Sequence, residues 1–179
     1  MKRMQICVAV AATVVGLSAM SMAKQTPMLS AMDKQFMEDG AEGSIAEIRY
    51  ARVVLKRAAG ASARQFAQMM IRDHSKALLE LQMLARQKGV ALPNDTSEKE
   101  KVVIARIAQE KGVRLDAAYK DEMIRDHVED IGNAQREISL GRDPQVKAAA
   151  QKSLLLFQHH LQMARMIQTG TIATARITG

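Results

Sequence analysis

Apolar residues recur at helical spacing along most of the chain, and the breaks between the runs coincide with capping and terminating residues. The first helix is expected to begin at Ser30-x-x-Asp33 and run to about Ala58, with Gly60 ending it. Ser62-x-x-Gln65 reads as a capping box opening a second helix that continues to Lys88 and stops at Gly89, with Pro93 beyond. Another capping box, Ser97-x-x-Glu100, opens a shorter helix that ends before Gly112. Asp116 is placed to cap a third long helix lasting to about Leu140, and Gly141 ends it. Asp143 then caps a fourth, with Pro144 at its first position, where a missing N–H costs nothing, and that helix runs to about Gln168. Four long helices, two of their three junctions tight, predict an all-α antiparallel four-helix bundle with a short extra helix in the connection between its second and third members. Val103, Ile104 and Ile107 of that short helix are expected to cover one end.

Composition agrees. The 179 residues are 47% hydrophobic and only 3% aromatic, which disfavours a β-sandwich or barrel, and 25% charged, which together with the apolar fraction excludes wholesale disorder. The apolar stripes pass through Phe36, Gly43, Tyr50 and Val54 on the first helix and Ala67, Met70, Ala77 and Leu81 on the second. On the third and fourth they pass through Met123, Ile131, Ala134 and Ile138, then Val146, Ala150, Phe157, Ala164 and Ile167.

The amino terminus carries an address. Lys2 and Arg3 precede an uncharged run from Ile6 to Leu17, and Ser21-Met22-Ala23 supplies small residues where a signal peptidase needs them. Residues 1–23 therefore read as a Sec-type signal peptide cleaved after Ala23, the apolar run falling short of the ~20 residues that span a bilayer. The expected organisation is signal peptide 1–23, linker 24–30, bundle 31–169 and flexible tail 170–179, in a periplasmic or secreted protein with no transmembrane segment after cleavage. Cleavage removes two of the 26 basic residues and none of the 19 acidic ones, leaving a net charge of +5, and removes Cys7, the one cysteine. In an exported protein this charge suits weak contact with anionic envelope surfaces rather than nucleic acid. A monomer or weak oligomer is expected, with no partner named by the sequence.

Polar residues interrupt each stripe at heptad spacing: Glu47, His74, His127 and His160, one per long helix. Glu47 and His74 lie equally far from the first tight turn, and His127 and His160 nearly so from the last. At ~1.5 Å per residue all four fall within about one helical turn of a common level. Two readings follow. One is a polar core layer, histidines bonded to Glu47 and Tyr50, and it is the favoured one because buried polar groups mostly satisfy one another. The other is a single metal centre, since imidazoles and one carboxylate suit Zn, Fe, Mn or Cu. A di-iron centre is disfavoured because Glu-x-x-His is absent: Ile71, Ile124, Leu156 and Phe157 stand three before the histidines. Met70, Met123 and Met163 lie three or four residues from histidines, a spacing that suits copper but also ordinary core filling. Asp73, Asp126, Arg72 and Arg125 are expected as surface charges. Met70-Ile71-Arg72-Asp73-His74 recurs as Met123-Ile124-Arg125-Asp126-His127, as if two helix pairs had a related origin. No Gly-x-Ser-x-Gly and no phosphate loop is present, so hydrolase and nucleotide-binding readings have no residues to stand on.

Asp33-Lys-Gln-Phe36, Ala46-Glu47-Ile48, Phe66-Ala-Gln-Met-Met70, Asp73-His74 and Gly89-Val-Ala-Leu-Pro93, followed by Asp116-x-x-Tyr119, His127 and Gln-His-His160-Leu, resemble the bacterial exported family called domain of unknown function 4142. The resemblance covers roughly residues 31 to 167. It implies a ferritin-like bundle and export, carries Glu47, His74, His127 and His160 as family-typical polar positions, and implies no activity. This chain departs from it with Leu155-Leu156, where a proline-containing step is common. Two functions remain: a non-catalytic envelope or stress-related binding protein, or a metal-binding protein using the His/Glu cluster.

Overall fold

The computed structural model describes residues 29–170. The expected signal peptide, all but the last two residues of the linker, and all but the first residue of the tail lie outside the described residues. Among those described there are five α-helices and no strand: α1 (Ala31–Arg57), α2 (Ala61–Lys88), α3 (Glu98–Gln109), α4 (Gly112–Leu140) and α5 (Pro144–Arg165). None is long and apolar enough to cross a membrane. α1 packs most extensively on α2 and α4 on α5. α1 also meets α4, whereas α2 and α5 touch sparingly.

Two carboxylates clasp the ends of this all-helical bundle. At the expected start of α1, Asp33 forms a capping box with Ser30, accepting from its N–H at 2.5 Å while the Asp33 N–H donates to Ser30 Oγ at 3.1 Å. Its other oxygen accepts from the N–H groups of Arg142 and Asp143, at 2.9 and 3.1 Å, in the turn between α4 and α5. Asp143 in turn caps α5 through the N–H groups of Gln145 and Val146 and pairs with Lys88 at the end of α2, Nζ to Oδ2 2.6 Å. Burial works against ionisation of Asp33, but these donors hold its carboxyl well below the usual range. Glu137, buried beside Asp33 with neither oxygen bonded, is pushed up to about 7 by burial and that neighbour.

Asp116 does the matching job at the opposite end, and here the expectation is corrected. It does not cap its own helix, because α4 starts four residues earlier, at Gly112. It is buried and accepts instead from Ala59 N–H at 3.2 Å and Gly60 N–H at 2.7 Å, supplying a carboxylate to the start of α2. The Ser62 box therefore does not form: α2 begins at Ala61 with Gly60 as its cap, and Ser62 Oγ accepts from Gln168 N–H at 3.1 Å. Gly60 is needed for the close approach, since a Cβ there would sit 2.8 Å from Asp116 Oδ2. Gly89 ends α2 in the left-handed region expected of it, φ 69°. α5 ends at Arg165, three residues short of expectation.

The clasps show the directions: the starts of α1 and α5 share one end with the finishes of α2 and α4. α3 does not cover an end. Tyr50 donates to Glu100 and Arg57 donates to the Ala108 carbonyl, so α3 lies beside α1, running the same way, and buries Ile107 with Val103 and Ile104 against the core. That core fills the half of the bundle nearer Asp116, with Tyr50, Val54, Phe66, Ala67, Met70, Leu115, Tyr119 and Met123 among its members. In the other half the buried apolar cluster is small, Met37, Ala85 and Val146, with Ala41, Ala134 and Ala150 buried outside that cluster.

A candidate metal centre between two cavities

The four stripe-breaking residues meet. All are buried, and one comes from each long helix: Glu47 on α1, His74 on α2, His127 on α4 and His160 on α5. His160 Nδ1 stands 3.2 Å from His74 Nε2 and 3.2 Å from His127 Nε2. The remaining ring nitrogens point outward to partners. His127 Nδ1 is 2.9 Å from the Met123 carbonyl, which can only accept, so that nitrogen carries a proton. His160 Nε2 is 3.2 Å from Asp73 Oδ2. His74 Nδ1 is 2.7 Å from Glu47 Oε2, with Ser44 Oγ at 3.5 Å. Phe157 stacks on His74 and meets His127 edge-on, and Phe66 meets the edge of His160, so apolar rings wall the cluster.

Burial sets the electrostatics. It pulls all three histidines down to about 4, the Asp73 charge opposing at His74 and the Glu47 charge at His127, so neutral imidazole is their resident form. Burial also opposes ionisation of Asp73, yet hydrogen bonds from Arg72 and His160 hold it below the ordinary carboxylate range. Asp73 is therefore an acceptor, and His160 Nε2 carries its proton.

That leaves a mismatch. A neutral His127 protonated on Nδ1 and a neutral His160 protonated on Nε2 present bare lone pairs to each other at 3.2 Å. When Glu47 is ionised, His74 donates from Nδ1 and presents a third lone pair to the same point. Burial lifts the Glu47 carboxyl to about 7, and with Glu47 ionised three imidazole nitrogens converge with their N–H groups committed outside, their ligand atoms within 4.8 Å of one another. Metal bonds of ~2.0–2.1 Å at a tetrahedral angle separate two such nitrogens by about 3.3 Å. These buried groups can hold a metal.

Glu47 joins the cluster at the outer nitrogen of His74, and not at the point where the lone pairs meet. Tyr50, expected as its partner, donates to Glu100 instead. Met70 and Met123 are fully buried in the apolar core and Met163 packs against it, as core fillers do. The five-residue echo does not relate the two hairpins, because it falls on the second helix of one and the first of the other. What it does is set His74 and His127 facing each other, ring centroids 5.8 Å apart.

Asp73, Asp126 and Asp130 were not anticipated as site residues. Asp73 holds His160, and Asp126 and Asp130 lie half-buried on the face of α4 that carries His127. Burial, with Glu47 nearby, pushes Asp126 up to about 7 and Asp130 well above its ordinary value. The available signal was position: residue 130 follows His127 by three, on the same helical face.

Two cavities flank the cluster. One of about 510 Å³ opens between α2 and α5 and is bordered by Ser44, Asp73 and Phe157, with Phe36, Leu81 and Leu84 further along. A second of about 270 Å³ lies between α1 and α4 and is bordered by Glu47.

Fold and site define a helical-bundle protein with a buried histidine–carboxylate cluster at its midpoint. The chain belongs to the family described as Domain of unknown function (DUF4142), whose model matches residues 18–167. It is similar in fold to a DUF305 fragment from Deinococcus radiodurans, known from a crystal structure. The TM-score is 0.70 at 12% identity, covering 78% of this chain and 96% of that one. No curated protein matches.

Proposed function

We propose that this protein is an exported metal-binding bundle whose centre is formed by His74 Nε2, His127 Nε2 and His160 Nδ1. The observation that carries the reading is the pair of unprotonated nitrogens of His127 and His160, 3.2 Å apart, which repel unless a cation lies between them. A proton would serve, but burial disfavours imidazolium at His160, whereas a divalent ion fits three neutral imidazoles. Asp73 and Glu47 act from outside the ligand set, fixing ring orientation and tautomer and raising ligand basicity. Zinc, iron, copper and nickel are within reach of such donors. The bound ion would supply Lewis acidity or a redox couple. Binding is the function proposed.

The bundle is read as ferritin-like, four long helices alternating in direction. The two carboxylate clasps support this, as does the fold of the DUF305 fragment. Export rests on Lys2, Arg3, the apolar run and Ser21-Met22-Ala23. Mass measurement of the fractionated protein should find a soluble chain beginning at Lys24. Retention of residues 1–23 in the membrane fraction overturns export.

Metal analysis of untagged protein tests the centre. One divalent ion per chain is expected, lost in His127→Ala and His160→Ala, with a chelator lowering the wild-type melting temperature but not that of either variant. Wild-type melts that coincide with and without chelator, together with a large stability loss in His127→Ala, would make the cluster a polar layer instead.

A further inference from the structure

The smaller cavity is built differently from the histidine centre. Asp39 and Glu42 on α1 and Asp126, Glu129 and Asp130 on α4 border it, and Ser97 and Glu100 at the start of α3 border its outer side. Against these stand Lys99 and Arg125, and Arg125 is held on Glu122, which accepts from both of its terminal nitrogens, and on Asp126 Oδ1, which accepts from one of them at 3.1 Å. Glu47 also borders the cavity. It is 3% exposed, and while its Oε2 meets His74, its Oε1 has no hydrogen-bond partner. The nearby His127 Nδ1, at 3.4 Å, gives its proton to the Met123 carbonyl. A buried carboxylate oxygen without a donor asks for a ligand. Ligand atoms of Glu47, His127 and Asp130 lie within 4.8 Å of one another, and Asp126 stands one helical turn before Asp130 on the same face.

We propose that this cavity is a second cation site, in which Glu47 Oε1 and the Asp130 carboxylate bind a hard divalent cation, with Asp126 and water completing its shell. With the His127 Nδ1 proton committed to the backbone, the donors are oxygens, the set that suits Mg²⁺, Ca²⁺ or Mn²⁺ rather than the metals favoured by imidazole. Glu47 then lies between two dissimilar sites, one oxygen orienting a histidine of the first and the other ligating the second. The chain would hold a soft-to-borderline ion and a hard ion side by side. The acidic walls favour approach of cations from solvent to this side of the bundle.

Mn²⁺ is the probe, followed by electron paramagnetic resonance on the mature chain with Zn²⁺ added to saturate the histidine centre. Wild type should bind one Mn²⁺ that Zn²⁺ does not displace. Asp130→Asn should weaken Mn²⁺ binding at least tenfold with Zn²⁺ stoichiometry unchanged, and Asp126→Asn should weaken it less. His160→Ala should lose Zn²⁺ and keep Mn²⁺. Equal Mn²⁺ affinity in wild type and Asp130→Asn, or stoichiometric displacement of Mn²⁺ by Zn²⁺, overturns the second site. If the histidine centre binds nothing, the comparison of wild type with Asp130→Asn still decides this one.

Discussion

The two halves of the bundle on either side of the histidine layer are made of the same helices and packed in opposite ways. Toward Asp116 the stripes carry Tyr50, Val54, Phe66, Met70, Leu115, Tyr119 and Met123, and α3 adds Ile107 from outside. Toward Asp33 the buried positions are mostly small, Ala41 on α1, Ala85 on α2, Ala134 on α4 and Ala150 on α5, and Gly40, Ser44, Ala77, Asn133, Ala149 and Ser153 beside them border the larger cavity. Small residues at those positions leave the helices nothing to interlock, so α2 and α5 barely touch and Phe36, Leu81 and Phe157 remain half-buried. One half supplies cohesion, and the other leaves space beside the histidines. The division places the densest packing away from the larger cavity.

Truncation should expose the contrast most strongly. Leu115→Ala in the packed half should cost about 3 kcal/mol by urea denaturation, and Leu81→Ala in the hollow half about 1 kcal/mol, because a half-exposed side chain leaves little new cavity. Equal losses would mean that the hollow half is closed in solution.

The clasps come next. Asp116→Ala removes the carboxylate that two N–H groups at the start of α2 depend on, and should cost about 2 kcal/mol. Gly60→Ala should cost a similar amount by pushing the same carboxylate away. If the variants cost nothing, Asp116 is not what holds that end.

At the other end the prediction is one of pH. Glu137 is held near 7 in the fold against an ordinary 4.5, so the folded state binds the extra proton between those values. Wild type should therefore lose stability as pH rises from 4.5 to 7, with no further loss above 7 from this group. Glu137→Gln should match wild type at pH 4 and exceed it by about 2 kcal/mol at pH 8 in thermal melts. A variant less stable than wild type at pH 8 would show that the carboxylate is ionised and useful.

Filling separates the halves by magnitude. Ala77→Leu, directed at the larger cavity, should change stability by less than about 1 kcal/mol, whereas Ala67→Leu in the packed half should lose 1–3 kcal/mol, roughly, to overpacking. Destabilisation of the same size by both would remove the distinction between the halves.

The helices and their order were legible in the sequence because periodicity, Gly89, Pro144 and the Ser30, Ser97 and Asp143 caps are local signals, each acting within a turn of its own residue. So was the convergence of Glu47, His74, His127 and His160, since level along a helix follows from counting residues. Export is an expectation resting on residues 1–23, which lie outside the described residues. Tertiary structure decided the rest. Asp116 and Ser62 looked like caps for their own helices, yet a carboxylate caps whichever N–H groups are nearest in space, and for Asp116 those belong to a turn more than fifty residues away. The placement of α3 along α1 depended on Tyr50 and Arg57 finding Glu100 and Ala108. The tautomers depended on Met123 O and Asp73, and no spacing rule brings those to a particular nitrogen. Periodicity tells which way a side chain points, but only packing tells what it meets there, and a site is made of what meets.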